Sequence, residues 1–283
     1  MKKSEIASRV DEWILEQKYQ EYAPKTLNAY RSRVQRFIDW LPDDEEITKD
    51  TLMRYKEESR AATHSANTVN AWLVSINKFL KWMNMKDVTV KKVKTQFKQS
   101  NEEVLSLSDY KRLLRFAKRD GKHQLYYIMK ILAMTGIRII ELKFFTVENL
   151  KSNYILVNNK GKERKIIVRQ DLMRELKHYA KEQGIKSGYL FPSPMIKGKM
   201  VNVSTIWRQM KKVAGEARVK RSKVHPHSYR HLFAQVFLNT YSDSITELAD
   251  ILGHNSLETT RQYTRTSDSQ KKEKLEMMKF EKG

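Results

Sequence analysis

The sequence predicts a mainly α-helical protein built as two blocks, the second carrying one small β-hairpin. Three observations carry that expectation. Apolar residues recur every three or four positions through most of the 283 residues, the period of a helix with one buried face. Around 154–168 the pattern changes to two β-branched runs flanking a polar, glycine-bearing turn. Over 88–104 a lysine-rich stretch breaks the periodicity and reads as a linker between 1–87 and 105–283. A chain of this length is expected to hold about two domains.

In the first block, Ile6, Val10, Trp13 and Ile14 sit at helical spacing. Pro24 opens a second helix, since a first-turn residue needs no amide proton. Tyr30, Val34, Phe37, Ile38 and Leu41 line its apolar face, and Pro42 ends it. Thr48 caps a short third helix carrying Leu52 and Tyr55. Ser65 caps a fourth, with Val69, Trp72, Leu73, Ile76, Leu80 and Met83 inward. Four amphipathic helices with short joins make a small bundle. The linker that follows is expected either to be solvated or to lie along a phosphate backbone.

In the second block, Ser106 and Asp109 start a helix carrying Leu113 and Leu114. Leu125, Ile128, Met129 and Leu132 mark the next, which Gly136 caps. The hairpin runs are 154–157 and 165–168, around Asn-Asn-Lys-Gly-Lys-Glu-Arg. Helices are expected near 170–183, 203–217, 226–241, 244–252 and 256–263. After a polar hinge at 264–270 a tail helix over 271–283 carries Leu275, Met278 and Phe280.

Composition narrows the function. Lys and Arg number 55 against 33 Asp and Glu, a formal net charge of +22. Residues 1–100 hold 19 basic and 14 acidic side chains, so +17 of that excess lies in 101–283. A net charge of about 2–8 suffices for solubility, so this excess points to a polyanionic partner, with nucleic acid the commonest. With no cysteine, the chain has no disulfide scaffold, no thiol nucleophile and no Cys-ligated zinc, which suits the cytoplasm. No run of about 18 apolar residues suggests a membrane span. The first residues, MKKSEIASRVDEW, lack the apolar core of a secretory signal.

Four separated motifs in the second block carry chemistry. In Thr135-Gly136-Ile137-Arg138-Ile139-Ile140-Glu141-Leu142, a glycine releases one helix and an arginine opens the next. That arginine stands near a helix N-terminus, where anions are favoured, and Glu141 can hold it at i,i+3. Asn159-Lys160-Gly161-Lys162-Glu163-Arg164 puts three cations near a hairpin tip. In Pro226-His227-Ser228-Tyr229-Arg230-His231, His227 and Arg230 share one helix face. The i,i+4 pair His227 and His231 has metal-ligand spacing, but no carboxylate lies beside it to complete a site. Leu252-Gly253-His254 precedes Thr259-Thr260-Arg261-Gln262-Tyr263. Taken singly, each reads as well or better as a capped helix, a solvated turn, a pair of helix-entry histidines or a packing tyrosine.

Together and in this order they resemble the tyrosine recombinase (phage integrase) family, which includes Xer-type recombinases, transposon resolvases and conjugative-element integrases. Its pattern is T-G-x-R-x-x-E-L, a lysine on a G-K-G hairpin, H-x-x-R-H, L-G-H, and tyrosine in T-T-x-x-Y. The resemblance covers the second block almost entirely. The first resembles the family's N-terminal four-helix core-binding (SAM-like) domain, notably at Lys25-Thr26-Leu27, Tyr30 and Phe37. The fold implied is that bundle plus a mixed α+β catalytic domain, closing as a clamp on duplex DNA.

By that resemblance, Arg138 and Arg230 grip the scissile phosphate, Lys160 is the hairpin lysine, and His227 is the first histidine of its motif. His254 takes the position held by histidine or tryptophan, Tyr263 is the nucleophile, and Glu141 supports the site. The hairpin is one residue shorter than the common G-K-G-N-K-E-R, which leaves Lys162 as the alternative to Lys160. Ile140 stands where a small residue is common. The implied reaction is site-specific recombination through a 3′-phosphotyrosyl bond with a free 5′ hydroxyl, without cofactor or metal. Four protomers pair two duplex sites, and the tail docks on a neighbour. The larger arm-type integrases are less expected, since no arm-binding block precedes residue 1.

Elementary chemistry suits these roles. Two guanidiniums can bracket the charge that builds on non-bridging oxygens, at any pH near neutrality. A phenol of pKa ~10 both attacks and leaves better than an alkyl alcohol. The departing 5′ oxygen needs a proton, which a lysine can supply. Two other classes compete: a sequence-specific DNA-binding regulator without catalysis, and a type IB topoisomerase with the same chemistry. A metal-dependent nuclease would need clustered carboxylates near the histidines, and the sequence has none there.

Overall fold

The structure is a computed structural model that describes residues 1–62, 64–94, 104–159 and 162–254, with single positions at 257, 260 and 276; Asn159 and Lys162 are described by backbone alone. The chain divides into two compact units, Met1–Phe97 and Lys98–Gly283.

The first unit is helical: α1 (Lys3–Ser8), α2 (Val10–Tyr19), α3 (Pro24–Trp40), α4 (Lys49–Ala61) and α5 (Ala66–Trp82). The caps lie where the sequence puts them. Thr48 accepts from the Thr51 amide and Ser65 Oγ from the Thr68 amide, each satisfying an orphan donor. Leu41, held extended by the following proline, ends α3. Val34, Phe37, Leu52, Leu73, Ile76 and Phe79 are fully buried, whereas Trp72 and Met83 sit half-buried at the rim.

Two expectations are corrected here. The first predicted helix is two, because the chain leaves helical hydrogen bonding at Arg9, whose amide reaches only back to Ile6 O. Its guanidinium pairs with Glu12 three residues on (2.6 Å) and lies over the Trp82 ring of α5, a contact from another helix that no local pattern announces. The expected linker also does not start free at residue 88. On α5, Asn77 donates to Val90 O (2.8 Å) and accepts from Val90 N, and Asn70 does the same for Val93. Two asparagines seven apart thus present the donor and acceptor of a strand edge, and Val90 is buried against the bundle.

The second unit holds α6 (Leu107–Arg119), α7 (His123–Thr135), a 3-10 helix at Ile139–Phe144, a hairpin of β1 (Tyr154–Asn159) and β2 (Lys162–Ile167), α8 (Gln170–Glu182), α9 (Val203–Glu216), α10 (Pro226–Thr240) and α11 (Ile245–Leu252). Leu257, Thr260 and Glu276 are helical. The expected tail side chains Leu275, Met278 and Phe280 lie outside the described residues. Ser106 caps α6 by accepting from the Asp109 amide (3.0 Å). Helix α7 carries Leu125, Ile128, Met129, Ile131 and Leu132 fully buried, and packs against α6, α8, α9 and α10. A helix apolar on most sides becomes the centre of its domain. The antiparallel strands reach further toward the tip than the β-branched runs, from Tyr154↔Ile167 to Asn159↔Lys162. Backbone pairing needs no apolar side chain, so polar Asn158 and Glu163 join the ladder. Among the described residues, no helix is long and apolar enough to cross a membrane.

Candidate active site

The site forms where α7 ends, α10 begins and α11 ends. Gly136 terminates α7 at φ +63°, and a Cβ there would lie 2.6 Å from Phe233 and 2.7 Å from Leu252. A glycine is therefore needed both for the left-handed turn and for the close approach of α10 and α11. The chain then exposes Arg138 as the N-cap of the 3-10 helix, and the Glu141 carboxylate accepts from the Arg138 amide (2.8 Å).

Arg230, on the first turns of α10, is a charged side chain only 2% exposed. Its Nη1 donates to Gly136 O and one Nη2 proton to Leu252 O, both at 2.8 Å. Nη2 also lies 2.7 Å from His254 Nε2. An arginine can only donate, so Nε2 accepts and the imidazole proton sits on Nδ1, facing Thr260 Oγ1 at 2.8 Å. Thinned solvation first, then the charges of Arg230, Arg138, His227 and Arg164, push the His254 pKa down to about 4. His254 is therefore neutral at pH 7, as its acceptor role requires.

Three successive carbonyls at the end of α11 each accept from a different arginine. Ile251 O takes Arg164 Nη1 (2.6 Å), Leu252 O takes Arg230, and Gly253 O takes Arg138 Nη2 (3.4 Å). The last carbonyls of a helix are orphan acceptors at its negative end, and guanidiniums satisfy both needs. This arrangement gathers Arg138 and Arg230 beside His254. His227 lies within electrostatic reach; loss of solvation, then Arg230, His225 and Arg138, hold its pKa below the ordinary imidazole value.

Of the residues expected from the sequence, Arg138, Glu141, His227, Arg230 and His254 are brought together. Lys160 and Tyr263 lie outside the described residues, as does the side chain of Lys162. His227 and His231 meet ring to ring, with centroids 4.9 Å apart. Among the described residues, no group of three or more His, Asp or Glu side chains is placed to hold a metal. Two residues at the site were not singled out from the sequence. Arg164 binds Glu141 (2.7 Å), and Thr260 is fully buried against His254. Both stand inside motifs already quoted, Lys-Glu-Arg and Thr-Thr, and only their neighbours reveal their work.

Burial also makes the site unit sensitive to acid. His231 on α10 has its pKa pushed down to about 4, chiefly by burial and then by His227, His225 and Arg230. Between pH 6.5 and 4 the unfolded chain takes a proton that the folded one refuses, so stability is full above pH 6.5 and falls as pH drops toward 4. At pH 4.5 this one group should cost about 2–3 kcal/mol relative to pH 7. Urea unfolding of the unaltered chain and of His231→Phe at both pH values should show the smaller drop in the variant. Equal drops would contradict the assignment.

The pattern of the Phage integrase family fits residues 103–270, and that of the phage integrase N-terminal SAM-like domain fits residues 12–87. The tyrosine recombinase XerA of Pyrococcus furiosus is 33% identical over 177 residues, 61% of this chain and 60% of that protein, so the chain spans less than two thirds of that relative's length. XerD of Pseudomonas aeruginosa is 28% identical over 262 residues, 86% of this chain and 87% of its own length. The crystal structure of a lambda integrase tetramer bound to a Holliday junction has a similar fold, with a TM-score of 0.74 at 16% identity, covering 98% of this chain and 79% of that one. The family pattern fits more than half of the sequence and spans every motif from Thr135 to Tyr263, and on that ground the chain belongs to the phage integrase family.

Proposed function

We propose that the protein is a site-specific DNA recombinase that cuts and rejoins strands through a phosphotyrosine. The observation that carries this reading is the gathering of Arg138 and Arg230 on consecutive carbonyls of α11, with His227 and His254 beside them. A fixed cluster of guanidiniums is what a phosphodiester needs as charge builds on its non-bridging oxygens. The buried Arg230 is already oriented by three bonds, so it loses little freedom when phosphate arrives.

In this reading, Tyr263 Oη attacks phosphorus and its proton passes to His227 or solvent. The bond to the 5′ oxygen breaks, and Lys160 protonates that oxygen. The strand is left 3′-phosphotyrosyl with a free 5′ hydroxyl. Attack by the 5′ hydroxyl of another duplex reverses the step and exchanges strands. The phosphodiester energy is kept in the covalent bond, so no nucleotide or metal takes part. The partner is a duplex recombination site, drawn by the +22 charge. Four protomers assemble on two such sites, the tail 271–283 of each docking on a neighbour, in the cytoplasm.

A nicked suicide substrate tests the reading, since the short strand below the nick diffuses away and traps the adduct. With binding saturated, the covalent species should form at an undiminished rate in excess EDTA. Binding without an adduct would favour a non-catalytic regulator, and cleavage restored only by a divalent ion would favour a nuclease. Exchange between two marked duplexes separates recombination from topoisomerase-like relaxation.

A further inference from the structure

One buried carboxylate serves two guanidiniums at the site. Glu141, 1% exposed, accepts from Arg164 Nη2 at 2.7 Å and from Arg138 Nη1 at 3.4 Å. Of these two arginines, Arg164 also makes the shorter contact with an α11 carbonyl, 2.6 Å to Ile251 O against 3.4 Å from Arg138 to Gly253 O. The Arg138 side chain is 42% exposed and that of Arg164 is 19% exposed. Contacts of 3.4 Å lie at the loose limit of hydrogen bonding. Arg164 is thus bound on both sides, and its stem fills the space where a Cβ on Gly253 would stand, 2.9 Å from its Cδ. Arg138 is only steered.

We propose that Arg164 is a positioning residue: by satisfying Glu141 it keeps the Arg138 guanidinium available to the scissile phosphate. This rests on the recombinase reading, which gives Arg138 that phosphate. A carboxylate buried at 1% exposure is tolerated only with a cation on it. Remove Arg164, and Arg138 is the cation at hand. It would close on Glu141 as a bidentate pair, turn from the phosphate, and have its charge neutralised where it should be felt. Because Arg164 lies on β2 opposite Val157, the same side chain also ties the hairpin to the end of α11.

The test is a suppressor experiment on the nicked substrate, with single-turnover cleavage normalised to DNA-bound protein. Arg164→Ala should slow cleavage ~10²-fold, the loss expected when a reacting group is misplaced by about 1 Å. Its DNA affinity should change by less than about threefold, because many phosphate contacts share the binding. Adding Glu141→Gln to Arg164→Ala should then restore cleavage by about tenfold or more, since a neutral amide still accepts the Arg138 amide proton but no longer captures its guanidinium. Arg164→Lys keeps a cation on Glu141, so it should cleave faster than Arg164→Ala. A double variant as slow as Arg164→Ala or slower overturns the proposal, since a purely structural bridge would not be repaired by removing its other half. So does an Arg164→Ala protein that cleaves at the unaltered rate. Absence of adduct with the unaltered chain would instead refute the recombinase reading.

Discussion

Tyr263→Phe is expected to bind a duplex site as tightly as the unaltered chain and to form no covalent adduct. The change removes one oxygen and keeps the ring, so packing is preserved while the nucleophile is lost. The choice of Tyr263 among 13 tyrosines comes from its place after Leu-Gly-His and Thr-Thr. Tyr263 itself lies outside the described residues; Thr260, three residues earlier in the sequence, is fully buried on His254, which in turn meets Arg230. Denaturing gels of the trapped complex read the outcome directly. A normal adduct yield from Tyr263→Phe would show that another side chain attacks.

Lys160→Ala should slow cleavage of ordinary DNA by ~10²–10⁴-fold, the usual weight of general acid catalysis. The same variant should recover most of its rate when the bridging 5′ oxygen is replaced by sulfur. An alkoxide leaves poorly without a proton, whereas a thiolate is stable enough to leave alone because thiols are far more acidic than alcohols. Arg138→Ala should show no such recovery, since charge on the non-bridging oxygens still needs a partner. The competing assignment is Lys162, raised by the shorter hairpin. The ladder runs to the pair Asn159↔Lys162, so the backbone of Lys162 belongs to β2, while Lys160 lies outside the described residues. Rescue of Lys162→Ala by sulfur, with none for Lys160→Ala, would move the role by two residues.

Much of the architecture could be read from the residues because the forces that set it are local. Thr48, Ser65 and Ser106 cap helices through bonds spanning three residues, and Gly136 ends α7 by a backbone conformation that glycine adopts freely. Helical spacing identified the buried faces of α3, α5 and α7, since burial and periodicity are the same fact seen twice. Where the reading fell short, a distant group had intervened. The break at Arg9 goes with its contact to Trp82, and the docking of 88–94 depends on two asparagine side chains of α5 that no periodicity distinguishes from solvated ones.

The same division runs through the site. The order of motifs pointed to the family and singled out Arg138, Glu141, His227, Arg230 and His254 as candidates, because each chemistry-bearing type stands in a short pattern. Which atoms meet was decided by the tertiary structure alone. Arg164 reaches Glu141 across 23 residues and Ile251 across 87, Arg230 reaches Gly136 across 94, and Arg138 reaches Gly253 across 115. The sequence suggested that Glu141 holds Arg138, its neighbour three residues back. In the fold its shorter side-chain bond goes to Arg164, because a buried carboxylate is served by whichever cation the packing can bury beside it, and Arg138 stays the more exposed of the two.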